Sequence, residues 1–139
     1  MTTHGVVSDM AERELGRFLA LAASSSDANE FVMPMGAVDE CWHRLLKQPD
    51  AYQRFCDRVA GGAVAHVKGR GAGRLPWVER YHACLGALSR VWFQNDAAYA
   101  EYQRAGEVWA SWDCTPDLQS ERDRRRRPPV MVRDGRLQA

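Results

Sequence analysis

Three times between Asp9 and Ala60 the apolar residues of this chain return at helical spacing, and each time a polar or proline-bearing break ends the run. That repetition constrains the fold most, because a stripe with a 3.6-residue period must be buried against another element. Leu15, Phe18, Leu19 and Ala22 form the first stripe, on a helix read from Asp9 to Ala23 with Asp9 and Glu12 as its capping pair. The polar run Ser24 to Asn29 follows, and Phe31 to Gly36, broken by Pro34, leads into the next helix. Val38, Cys41, Trp42, Leu45 and Leu46 form the second stripe, over Ala37 to Lys47. After a turn at Gln48-Pro49, Tyr52, Phe55, Cys56 and Val59 form the third, on a helix capped by Asp50 and ended by Gly61-Gly62.

The second half reads less sharply. A fourth helix opens near Pro76 and carries Val78, Tyr81, Leu85, Leu88 and Trp92. A fifth, capped at Asn95 or Asp96, carries Tyr99, Tyr102, Val108, Trp109 and Trp112, an aromatic stripe that reads as core. Between the third and fourth helices, Gly61 to Gly73 holds five glycines with Lys68, Arg70 and Arg74 nearby, and reads as a glycine-rich loop. No segment reads as a strand, so the predicted fold is all-α: a compact bundle of about five helices over residues 8–115. Residues 116–139 read as a disordered Arg/Pro-rich tail, in which Val130-Met131-Val132 can dock as a short extended piece.

At 139 residues one domain is expected, and 45% hydrophobic residues, with five Trp, four Tyr and four Phe, suffice for its core. No apolar run is long enough to span a bilayer, and Met1 to Val7 has no leader pattern, so a cytoplasmic protein without membrane contact is expected. The cysteines Cys41, Cys56, Cys84 and Cys114 are isolated, which points to reduced thiols rather than a disulfide framework or a zinc ribbon. The net charge of +1 is uneven: residues 121–139 are +4 and the rest of the chain is −3. A four-arginine run, Arg124 to Arg127, is usually a solvated tail, and without a reading module beside it nucleic acid is not the expected partner.

Chemistry-bearing residues concentrate in Val38-Asp39-Glu40-Cys41-Trp42-His43. Asp39 and His43 are four apart, so on a helix the carboxylate reaches one imidazole nitrogen, fixes the tautomer and leaves the other nitrogen free as base or ligand. His66 stands among valines before the glycine-rich stretch, and His82 lies beside Tyr81. Were these segments to converge, His43, His66 and His82, with Cys56 or Asp39, would suit zinc or iron. The stretch Gly69 to Arg74 is not a Walker phosphate loop, since no strand precedes it and no Lys-Ser/Thr follows.

The order Arg17-Phe18-Leu19-Ala20-Leu21, Met33-Pro34, Val38 to His43, Tyr52-Gln53-Arg54-Phe55-Cys56, His66, then Tyr81 with Leu85 and Trp92-Phe93, resembles the glycine-rich-domain-protein-like family of bacteria and plants. The likeness spans roughly residues 10 to 112. It implies a small helical domain built on a VDxxWH, YxxFC and His pattern, in which Asp39, Trp42, His43, Phe55, Cys56, His66 and Tyr81 match and His43 acts with His66. It implies no particular reaction. The chain departs from the pattern after His66, where Val67-Lys68-Gly69 replaces an early proline, and after His43, where Arg44-Leu45 replaces a second histidine.

Together these readings predict a His-containing pocket that binds a small molecule or a divalent metal. His43 and Asp39 are the catalytic pair if it is an enzyme, His66, Tyr81, Trp42 and Arg70 the ligand-binding residues, and His43, His66 and Cys56 the metal ligands, with zinc or iron as cofactor. Whether the chain is an enzyme stays open, because no nucleophile or oxyanion hole completes a mechanism. The alternative is a non-catalytic interaction or scaffolding module that engages a partner protein and whose histidines are structural.

Overall fold

The computed structural model describes residues 2–26 and 30–118, and the arginine-rich tail and its Val130-Met131-Val132 segment lie outside them. Among the described residues five helices and three strands follow in the order α1 (Thr2–Ser24), β1 (Met33–Pro34), α2 (Ala37–Leu46), α3 (Pro49–Ala60), β2 (Ala65–Arg74), α4 (Trp77–Leu85), α5 (Asp96–Ala105) and β3 (Trp109–Asp117). A 3-10 turn at Arg90–Trp92 joins α4 to α5.

The helical half follows from the stripes. Ala11, Leu15, Phe18, Leu19 and Ala22 are all buried along one side of α1. That helix starts well before Asp9, so Asp9 and Glu12 lie inside it rather than capping it. Phe18 is the hub of the core: its ring lies 5.1 Å from Trp77, 5.6 Å from Phe31, 5.9 Å from Trp92 and 6.3 Å from Trp42, mostly edge to face. Gln48, not Asp50, precedes α3, with Pro49 in its first turn, and Gly61 ends it in the left-handed region at φ 77°. Asn95 caps α5, its side chain accepting from the Ala98 N–H at 2.8 Å.

The all-α expectation is wrong. The glycine-rich stretch is strand β2, and the second half of the expected fifth helix is strand β3; with β1 they form an antiparallel sheet in the order β1-β3-β2. Helix α5 stops at Gly106, whose φ of 78° turns the chain out of the helix, so Trp109 and Trp112 are not on the face that carries Tyr99 and Tyr102. Trp109 is 68% exposed, so the stripe is not one core face. Strand β3 also runs to Asp117, past the boundary expected at 115.

Glycine is disfavoured in strands, and Trp112 shows why it is used here. Opposite Asp113, β2 carries two residues, Gly69 and Arg70, so a bulge shifts the alternation between the pairs Lys68 with Cys114 and Gly71 with Trp112. The shift sets Gly71 under the Trp112 indole, where a Cβ would lie 2.6 Å from the ring. Gly71→Ala is therefore expected to destabilise by about 1–3 kcal/mol, read as a lower urea midpoint at unchanged m. A loss under roughly 0.5 kcal/mol would mean that the ring swings away freely.

Candidate metal centre

Helix α2 and the two long strands bring their polar side chains to one place. The i,i+4 spacing on α2 brings His43 Nε2 to 3.3 Å from Asp39 Oδ1. On the sheet, His66 pairs with Pro116 and Lys68 with Cys114, so His66 and Cys114 are diagonal neighbours on one face. That face meets α2: the His43 and His66 rings are 4.7 Å apart and steeply inclined, and the Cys114 thiol donates to Asp39 Oδ1 at 3.2 Å. One donor atom from each of Asp39, His43, His66 and Cys114 lies within 4.8 Å of all the others.

Bonds of about 2.0–2.3 Å put the ligand atoms of a tetrahedral zinc roughly 3.4–3.8 Å apart, so the set closes on an ion with shifts of about 1 Å. Two imidazoles, a thiol and a carboxylate make a borderline-soft donor set of the kind zinc takes. His43 is half exposed, whereas Asp39 and Cys114 are largely covered, so the cluster is open on one side.

His66 carries the clearest signal. Its Nε2 is buried and has no hydrogen-bond partner among the described residues, an uncommon condition for a polar atom. The ring is held edge-on against Trp42 at 4.7 Å, and Trp42 is fixed in turn by donating from Nε1 to Tyr52 Oη at 3.0 Å, which donates to the Val64 carbonyl at 2.6 Å. Burial, and then the neighbouring His43, lower the His66 pKa, which keeps the imidazole neutral with a lone pair to give. Burial and the hydrogen bond to Asp39 raise the Cys114 pKa, so the thiol keeps its proton until something displaces it.

The other residues singled out from sequence fall into different settings. Cys56 is buried on α3 beside Tyr52, where burial raises its pKa, and the cysteine that meets the histidines is Cys114. Tyr81 belongs to a buried network: its hydroxyl donates to Glu14 Oε1 at 2.6 Å and accepts from Arg17 Nη1 at 3.2 Å, and burial pushes its pKa up to about 12. His82 does not join His43 and His66; its Nε2 is 2.7 Å from Tyr102 Oη. Trp42 backs the site through His66, and Arg70 stands at its rim, its Nε 3.4 Å from Asp113 Oδ1. Beside the cluster is a cavity of about 290 Å³ that His43, His66 and Cys114 line together with Lys68, Gly69, Arg70 and Asp113.

Cys114 had no motif around it, but one signal was present. From Ala110 to Leu118 apolar residues alternate with polar ones, Trp112, Cys114, Pro116 and Leu118 falling between Ser111, Asp113, Thr115 and Asp117, which is the period of a strand with one face inward.

Searches against protein-family models, curated proteins and solved structures give no match to the chain.

Proposed function

We propose that the chain is a metal-binding domain that holds one divalent ion, zinc by its donor set, between Asp39, His43, His66 and Cys114, and presents it to a small molecule in the adjoining cavity. The observation that carries this reading is the orphaned, buried Nε2 of His66, a residue with a ring nitrogen within 4.8 Å of three further donors. Buried polar side-chain atoms are otherwise paired in the great majority of cases. The likeness read from the VDxxWH and YxxFC motifs singles out the same pair of histidines.

The metal's contribution would be that of a Lewis acid toward an oxygen taken up as a fifth donor on its exposed side. His43, on the open side, is the ligand best placed to exchange or to move a proton, with Asp39 holding its ring. No helix among the described residues is long and apolar enough to cross a membrane.

Metal analysis of the purified full chain tests the reading. One equivalent of zinc is expected in the wild type, lost on His66→Ala and on Cys114→Ala, and kept on Cys56→Ala and His82→Ala. Zinc retained after loss of both His66 and Cys114 would place the metal elsewhere, and a wild type that takes up no ion from zinc-supplemented buffer would leave four structural side chains. Because the Cys114 proton must leave for the thiolate to bind, affinity is expected to rise with pH, measured by competition with a chromogenic chelator.

A further inference from the structure

The cavity beside the cluster has a charge pattern that the ligand set does not use. A divalent ion held by the Asp39 carboxylate and the Cys114 thiolate is formally neutral, and the two histidines add nothing. What remains on the cavity wall is Lys68 and Arg70 against the single carboxylate of Asp113. That balance is net positive, in a hollow of about 290 Å³ at the lower limit of small-molecule sites.

The backbone places both cations with purpose. Lys68 pairs directly with Cys114, so it shares the sheet face of the metal ligands. Arg70 sits in the bulge, where Gly69 and Arg70 together oppose Asp113. Bulges of this kind re-aim side chains beside functional sites. The Arg70 side chain is 89% exposed and touches Asp113 through Nε alone at a long 3.4 Å, so the guanidinium nitrogens beyond Nε stay available to an incoming ligand.

We propose that this cavity takes a small oxyanion, a carboxylate or a phosphate, that adds to the metal as a fifth donor on its exposed side and is clamped by Arg70 and Lys68. An Arg fork matches the paired oxygens of either group, and Lys supplies a second point charge. The proposal rests on the metal reading above.

Cobalt(II) in place of zinc separates the two claims. A thiolate-to-cobalt charge-transfer band reports Cys114 on the metal, and the visible d–d bands report whether a fifth donor has joined the four protein ligands. Inorganic phosphate and malonate are titrated separately into the cobalt-loaded full chain. The expected result is a saturable change in the d–d bands with at least one of them, with the charge-transfer band retained. Phosphate alone assigns the phosphate class, malonate alone the carboxylate class, and both a general oxyanion site.

Arg70→Ala and Lys68→Ala are each expected to weaken the response by about tenfold, the effect of losing one charged hydrogen bond. Arg74→Ala removes the same charge from the same strand away from the cavity and is expected to change nothing. The proposal is overturned if the band forms and neither anion perturbs the d–d spectrum, or if Arg74→Ala weakens binding as much as Arg70→Ala does. No charge-transfer band at all overturns the metal reading, and this proposal with it.

Discussion

Replacing Glu14 by alanine is expected to lower stability by about 3–5 kcal/mol, through the cavity and the stranded donors it leaves. Glu14 is fully buried on α1, yet it lies on the apolar stripe between Ala11 and Leu15. Its Oε1 accepts from Tyr81 Oη at 2.6 Å and from Trp92 Nε1 at 3.0 Å, and its Oε2 is 3.1 Å from Arg17 Nη1. One carboxylate thus ties α1 to α4 and to the 3-10 turn in the middle of the aromatic core. Removing it strands an indole N–H and a phenol O–H without an acceptor and leaves a void beside Tyr81 and Trp92, so desolvation and cavity costs act together. Glu14→Gln keeps the shape and one acceptor oxygen, and should cost roughly half as much or less. Urea unfolding of the two variants against wild type checks this. A Glu14→Ala loss under about 1 kcal/mol would show that the network relaxes around water instead of holding the core.

The first half of the chain was legible because helices announce themselves locally. The stripes on α1, α2 and α3 require only the positions of apolar residues within each element, and Gly61 and Asn95 act within their own turns. The sheet was not legible because its support is distant in sequence. At Gly71 the Trp112 ring, some 40 residues on, takes the space that a side chain would fill. Read alone, Gly69 to Gly73 has the composition of a loop. Strand β3 was misread because Tyr102, Trp109 and Trp112 accidentally continue a helical spacing, and the aromatic count outweighed Gly106, the one residue that marks the helix end.

The site divides along the same line. Asp39 and His43 could be paired from spacing, since four residues on a helix fix their distance. His66 could be suspected from its apolar surroundings, but its meeting with His43 depends on how β2 packs against α2. Cys56 was preferred to Cys114 because it stands in a recognisable run beside Tyr52. That run instead supports the site from behind, through Tyr52, Trp42 and the edge of the His66 ring. What chooses Cys114 is strand register, a property of the β2 and β3 pairing that neither segment carries alone.

That same register is why the metal should matter to the fold. An ion held by Asp39, His43, His66 and Cys114 clips α2 to two strands that are joined to it only through long stretches of chain. Binding confined to the folded state stabilises by about 2.7 kcal/mol at a free zinc concentration 100 times the Kd. For a chain of this length that is roughly a 10 °C rise in Tm. The expected result is a Tm that climbs by about this amount between chelator and saturating zinc, and that keeps climbing with the logarithm of free zinc. His66→Ala changes two things that can be separated. Losing the ring against Trp42 lowers the metal-free Tm, whereas losing a ligand removes the difference between zinc and chelator. A packing role alone moves only the first quantity. If the zinc-dependent shift survives His66→Ala at full size, His66 is not a ligand, and its unpaired nitrogen needs another explanation.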